Sequence, residues 1–171
     1  MSTTPNKMII RPVELSDSNA ITEIYNHYIL NSVASFETEA LSIELMRNRI
    51  SEISVNFPYF VCEIDGHIAG YCYAHPWKER AAYRFTLETT VYISPQHLHE
   101  GIGRILMEEL INSCTERGFH ALIACITGNN EASIALHERL GFKKVSHFEK
   151  VGYKHNQILD VVDYQLLLNT F

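Results

Sequence analysis

Apolar positions change their spacing along this chain, and each change marks an element. MIIRPV, residues 8–13, is apolar and β-branched and closes on a proline, which predicts a strand. SDSNAITEIYNHYILNS opens on the cap-type residues Ser16 and Asp17, and Ala20, Ile21, Ile24, Tyr28 and Ile29 then recur at helical spacing. The polar, irregular SVASFETEAL is read as a loop. A second helix follows Ser42, with Ile43, Met46, Ile50 and Ile53 on one side. YFVCEI and HIAGYCYAH flank Asp65-Gly66, the strongest hairpin signal in the chain. PWKERAAYRF is a charged, aromatic loop and TLETTVYI a strand. GIGRILMEELINSCTERG is a helix, with Ile102, Leu106 and Leu110 four apart and Gly118 placed to end it. ALIACIT reads as a fully apolar strand, NEASIALHERLGF as a helix closed by Gly141, and KKVSHFEKVGYK and QILDVVDYQLLL as a last pair of strands.

The order strand 87–93, helix 102–117, strand 121–127 is a βαβ unit, so its two strands are expected to lie side by side and parallel, with the other strands antiparallel. Length changes this picture little: 171 residues suit one domain, expected over residues 8–171 behind a loose leader at 1–7. No segment is apolar for long enough to span a bilayer, and the start, MSTTPNK, lacks the shape of a signal peptide, so the cytoplasm is the expected compartment. The net charge of −6 comes without a Lys/Arg cluster, which argues against a nucleic-acid partner. Cys62, Cys72, Cys114 and Cys125 stand in apolar contexts without paired spacing and are expected to be buried and reduced. His97 and His99 lack Cys or carboxylate partners at ligand spacing, so no metal is expected.

Three places carry candidate chemistry. Gly101 and Gly103 lie between a strand and a helix, where unpaired amides and the helix dipole favour a phosphate. Alone they read equally as packing glycines, and the dinucleotide fingerprint fails because its third glycine is Leu106. Along the strand, side chains alternate, so Glu88, Thr90 and Tyr92 share one face and Leu87, Thr89, Val91 and Ile93 the other. A glutamate in a central strand is either tied to an arginine such as Arg80 or Arg84, or is a general base whose burial raises its proton affinity. On the later helix, Ser133 and His137 fall on one face behind Asn130, with Ala132, Ala135, Leu136 and Leu140 expected to pack. Read singly, Asn130 is a helix cap and His137 a bonded, half-buried imidazole.

Taken together, the strand, glycine loop, helix and strand, followed by N-x-x-S-x-x-L-H-x-x-x-G-F, resemble the GNAT superfamily of acetyl-CoA-dependent N-acetyltransferases. EIYNHYI, SFET, AGYCYAHPWKERAAYRFTLETTVYIS, LHERLGF and GYKHNQILDVVDYQ resemble, more narrowly, the phosphinothricin acetyltransferase family, in order and over nearly the whole chain. The resemblance implies an α/β (mixed α+β) GNAT fold: a strongly twisted mixed sheet flanked by about four helices, with its central parallel strands splayed to admit acetyl-CoA. Backbone groups of Val91, Tyr92 and Ile93 would pair with the pantetheine arm. Amides of Glu100, Gly101, Ile102, Gly103, Arg104 and Ile105 would hold the pyrophosphate, and Asn130, with Ser133 beside it, would bond the pantetheine. The superfamily usually carries Gln or Arg where this chain has Leu98, so that side chain's contribution is missing while the amides remain.

The resemblance further implies Glu88 as general base, directly or through water, and His137 as a group that orients the site or helps protonate the leaving thiolate. Phe36, Lys78, Arg80, Tyr83, Thr90 and Val161 would line the acceptor pocket, with Arg80 and Tyr83 foremost. The expected acceptor is a small amino-acid-like molecule of the L-phosphinothricin, methionine sulfoximine or methionine sulfone type, and a homodimer is expected because a neighbouring subunit commonly completes the pocket. Two other readings stand beside this one. The same fold could act on a different amine, a protein N-terminus or polyamine, although the Arg/Lys/Tyr loop is a poor match to a basic acceptor. It could also be an acyl-CoA-binding module without turnover.

Overall fold

Residues 7–168 are described by a computed structural model. They form β1 (Met8–Pro12), α1 (Ser18–Asn31), α2 (Ile43–Ser54), β2 (Tyr59–Ile64), β3 (His67–Pro76), β4 (Thr86–Ile93), α3 (Ile102–Glu116), β5 (Ala121–Thr127), α4 (Glu131–Arg139), β6 (Lys143–Lys154) and β7 (Gln157–Leu167). Of the expected leader, residues 1–6 lie outside the described residues; the Lys7 amide donates to Asp65 Oδ1 at 3.0 Å.

Local chemistry explains most boundaries. Asp65 and Gly66 both have positive φ, 49° and 83°, as the tight β2–β3 hairpin turn requires. Ser42 accepts from the Leu45 amide and caps α2. The first helix begins at Ser18, later than Ser16 and Asp17 suggested. Asp17 is drawn away from capping it: its carboxylate is forked by Arg11 at 2.8 Å on both oxygens and accepts from the Glu14 amide.

The seven strands form one sheet in the order β1-β2-β3-β4-β5-β7-β6, antiparallel everywhere except β4 against β5. On one face, α3 buries Ile102, Leu106, Met107, Leu110 and Cys114 against Cys72, Leu87, Leu122, Ala124 and Val162. Each large side chain buried there contributes about 1.5–3 kcal/mol of transfer free energy. On the other face, α1 and α2 cover β2 to β4 through Ile21, Ile24, Met46, Ile50, Tyr59, Val61 and Tyr71. These two helices stop there; on the same face of β5 Ile123 and Thr127 are still buried, and Cys125 between them is exposed.

The parallel pairing is short. Only Thr86, Leu87 and Glu88 pair with Ala121, Leu122 and Ile123, although β4 runs on to Ile93 and β5 to Thr127. Beyond that point β4 stays with β3, through Gly70 opposite Ile93, and β5 stays with β7, through Thr127 opposite Val161. The sheet therefore divides into two halves that part company just past Glu88.

Candidate active site

The parting of β4 and β5 opens a cleft of about 800 Å³. Glu88, Thr90 and Tyr92 line it from one face of β4, and Thr89, Val91 and Ile93 line it from the other. Cys125 and Thr127 do so from one face of β5, and Ala124 and Ile126 from the other. Side chains of opposite faces can share a cavity only where the cavity passes through the plane of the sheet. Past Glu88, β4 therefore presents main-chain groups that no described strand pairs with, an edge ready for an extended polar ligand.

At one end of this edge lies the N-terminus of α3. Gly101 caps it at φ 80°, a conformation costly for any residue with a Cβ. The first bonds back to the Gly101 carbonyl come from Arg104 and Ile105, which leaves the earlier amides unpaired within the helix. A Cβ on Gly103 would already touch Leu136 at 3.3 Å, so the loop packs close against α4. Opposite it, Asn130 Oδ1 accepts from the Ser133 amide and starts α4 at the cleft wall. Leu98 lines the cleft near the loop, where it supplies apolar surface.

Glu88 sits where the strands part. Its neighbour is His75 of β3, with Nε2 3.9 Å from Oε1, rather than Arg80 or Arg84. Burial raises its proton affinity above that of an ordinary glutamate; His75 opposes this and the negative charge of Asp163 adds to it. His137 is buried at 3% exposure against the edge of Phe142, and burial lowers its proton affinity, so the ring is neutral near pH 7. Its Nδ1 lies 2.8 Å from the Ser133 carbonyl oxygen, a contact that places the ring's proton on Nδ1 and leaves Nε2 bare. In that state it can accept a hydrogen bond and orient a donor, but has no proton to give from Nε2.

The cleft is also lined by residues that reading the sequence did not single out for it, Tyr25, Tyr28, Ser35, Glu37, Tyr73, Cys125 and Thr127, beside Phe36, Thr90 and Val161. Tyr25 and Tyr28 pack on Tyr92 at 5.2 and 5.1 Å between ring centres. The Phe36 ring lies so close to Gly152 that a Cβ there would meet Cζ at 2.6 Å. Lys154, only 4% exposed, donates from Nζ to the Ser35 carbonyl at 2.6 Å and pins this loop to β6.

Two expectations meet a different arrangement. Cys125 is exposed where it faces the cleft, although Ile123 and Thr127 on the same face of β5 are buried; Cys62, Cys72 and Cys114 are buried and all four are free thiols. Lys78, Arg80 and Tyr83 do not line the cleft of their own chain. They lie on the turn between β3 and β4, where Lys78 Nζ stacks on Trp77 at 4.1 Å and faces Tyr83 at 5.3 Å. On α4, Ala132 is exposed and Ala135, Leu136 and Leu140 are half-buried, so His137 is the residue that this helix buries most fully. Among the described residues, no cluster of three His, Cys, Asp or Glu side chains is placed to hold a metal, and no helix is long and apolar enough to cross a membrane.

Comparison with known proteins fits this geometry. The family model described as an acetyltransferase (GNAT) domain matches residues 10–162. The chain is 37% identical over 156 residues to the phosphinothricin N-acetyltransferase of Streptomyces viridochromogenes, covering 91% of this chain and 85% of that one. It is 34% identical over 166 residues to the L-methionine sulfoximine/L-methionine sulfone acetyltransferase of Salmonella typhimurium, covering 95% of each. The crystal structure of a GNAT superfamily phosphinothricin acetyltransferase from Sinorhizobium meliloti, in complex with acetyl-CoA, superposes with a TM-score of 0.92 at 39% identity, over 94% of this chain and 88% of that one.

Proposed function

The chain belongs to the GNAT acetyltransferase family, and we propose that it transfers the acetyl group of acetyl-CoA to the α-amino nitrogen of a small amino-acid-like acceptor, directly and in a ternary complex. The observation that carries this reading is the cleft lined by both faces of β4 and of β5, with a glutamate of raised proton affinity where it narrows. The residues fit acetyl-CoA: the outward main-chain groups of Val91 and Ile93, on either side of Tyr92, for the amides of the pantetheine arm, with the Ile93 carbonyl already accepting from Tyr28; Asn130 and Ser133 across from them; and the amides from Glu100 to Ile105 for the pyrophosphate.

Glu88 takes a proton from the acceptor's ammonium group, directly or through water. The freed nitrogen forms a bond to the thioester carbonyl carbon, the carbon–sulfur bond breaks with its electron pair on sulfur, and the second proton that the nitrogen sheds as the amide forms ends on that sulfur, directly or through water. A main-chain N–H near Tyr92 faces the charge that develops on the carbonyl oxygen. His137, bare at Nε2, orients the site. Phe36, Thr90 and Val161 enclose the acceptor, and Arg80, Lys78 and Tyr83 receive its carboxylate or anionic tail.

Those three residues stand outside the cleft of their own chain, which supports a homodimer in which a neighbouring copy completes the pocket. A second observation supports it: Val145, Phe148, Val151, Tyr153 and Ile158 of β6 and β7 are 50–69% exposed, an apolar surface on the edge of the sheet. The absence of a membrane-crossing helix among the described residues accords with a cytoplasmic enzyme.

The test is thiol release from acetyl-CoA over a panel of L-phosphinothricin, methionine sulfoximine, methionine sulfone, ordinary amino acids, a polyamine and an N-terminal peptide. Preference for the amino-acid-like acceptors is expected. Preference for the polyamine or peptide moves the activity to another amine, and acetyl-CoA binding without turnover on any acceptor leaves only a binding module. A monomer by light scattering at assay concentration overturns the dimer.

A further inference from the structure

Asp163 is a polar residue that the reaction described above does not use. It lies on β7 directly opposite Cys125, and Cys125 lines the cleft two residues beyond Ile123, the partner of Glu88. Pairing partners share a face, so Glu88, Cys125 and Asp163 all stand on one side of the sheet. Asp163 Oδ2 accepts from Ser146 Oγ at 2.8 Å. Its Oδ1 is buried and has no hydrogen-bond partner among the described residues. The carboxylate faces the Cys125 thiol and, after burial, raises its proton affinity through a side-chain hydrogen bond and through its charge, while Oδ1 itself stays without a partner. A buried carboxylate oxygen without a partner costs stability, and this one sits one strand behind the cleft-lining Cys125, which calls for a function.

Resting on the acetyltransferase reading, we propose that Asp163 is a positioning residue for the proton transfer: its unpaired carboxylate places a second negative charge behind Glu88, which holds the transferred proton on Glu88 while the freed nitrogen attacks. The other groups that face Glu88 are His75 and Tyr73 of β3 and Cys125 of β5. Of these, His75 pulls in the opposite sense, towards an ionised Glu88, and Asp163 counters it. Burial, then Asp163 and Glu88, also keep Cys125 protonated, so this exposed thiol does not compete with the amine for the thioester. The proton leaves the acceptor nitrogen, resides on Glu88 and returns to solvent after transfer.

The experiment is the pH profile of kcat/KM for Asp163→Asn, Ser146→Ala and the parent, with the best acceptor of the panel and saturating acetyl-CoA. Two strand spacings and the two-residue offset from Ile123 to Cys125 put Glu88 and Asp163 about 12 Å apart at the main chain. At that range, removal of the charge lowers the acid limb by about half a pH unit. A weaker base also lowers the plateau, by about twofold. Ser146→Ala removes the hydrogen bond and keeps the charge, so its limb stays with the parent's. Superimposable limbs for Asp163→Asn and parent overturn the proposal, as does an equal displacement in Ser146→Ala. Asp163→Leu, which removes charge and oxygen together, must give the same displacement and decides the matter should the asparagine variant not fold. A parent that releases no thiol with any acceptor overturns the acetyltransferase reading itself, and this inference with it.

Discussion

Replacing Lys154 with methionine keeps the length and volume of the stem and removes only the ammonium group that bonds the Ser35 carbonyl at 2.6 Å. A hydrogen bond from a charged donor contributes about 1.5–3 kcal/mol. Burial pushes the Lys154 ammonium towards its neutral form, with Glu37 opposing, so desolvation offsets part of that gain and the lower end applies, about 1.5 kcal/mol. For a chain of 171 residues that is a fall of roughly 3–6 °C in Tm. The functional effect is more specific. Ser35, Phe36 and Glu37 line the cleft on what is proposed as its acceptor side, whereas the residues proposed for acetyl-CoA lie on β4, α3 and α4. The acceptor KM should therefore rise about tenfold, equivalent to 1.4 kcal/mol, with the acetyl-CoA Kd unchanged. Thermal denaturation and steady-state thiol release measure the two. An unchanged acceptor KM, or an equal loss of acetyl-CoA affinity, would show that the loop is not what this lysine holds.

Glu88→Gln should lower turnover by about 10²–10⁴ with acetyl-CoA affinity intact; equal rates across pH would remove the base assignment. The same change should stabilise the fold at pH 7. Burial, with Asp163, raises the folded pKa of Glu88 above its unfolded value, so the ionised side chain destabilises the fold above the folded pKa and not below the unfolded one, about 4.3. The gain should vanish by about pH 4, and equal denaturation midpoint differences at both pH values would refute the sign. Gly70→Ala should destabilise by about 1–3 kcal/mol and weaken acetyl-CoA binding, because its Cβ would meet Ile93 Cδ1 at 2.7 Å and the Tyr92 carbonyl oxygen at 3.0 Å; calorimetry decides both. Asn130→Ala should cost about 1 kcal/mol through the lost cap and weaken acetyl-CoA binding without moving the acceptor KM, read from denaturation and kinetics.

What was legible in the sequence was local. Asp65-Gly66 announces its turn because few residue pairs accept two positive φ values. The alternation from Thr86 to Ile93 gives the faces of β4, and Asn130 and Ser42 give their helix starts. What stayed hidden depended on partners distant in the chain. ALIACIT looks buried on both faces, and all of it is except Cys125, which faces the cleft opened by the parting of β4 and β5. Tyr25, Tyr28 and Tyr73 have the spacing of core residues and do pack on the core, while their outer edges form the cleft wall. The contact between Lys154 and Ser35 spans 119 positions, and no local pattern encodes it.

The width of the cleft has a structural cause that joins these observations. Tyr28, in the last turns of α1, donates to the Ile93 carbonyl at 2.6 Å, at the far end of β4. Five residues later the Val33 carbonyl accepts from Thr127 Oγ1 at 2.7 Å, at the far end of β5. One short segment therefore holds both lips of the gap, and it does so where the strands have already lost their own pairing. Neither lip can move towards the other without breaking a bond to this segment or moving it. The segment leads directly into Ser35 and Phe36, which Lys154 fixes to β6. The spacing of the β4 edge and the shape of the acceptor wall are thus set by one stretch of chain, residues 28–37. A substrate seated against that wall meets a Glu88 held at the point where the two halves of the sheet still touch.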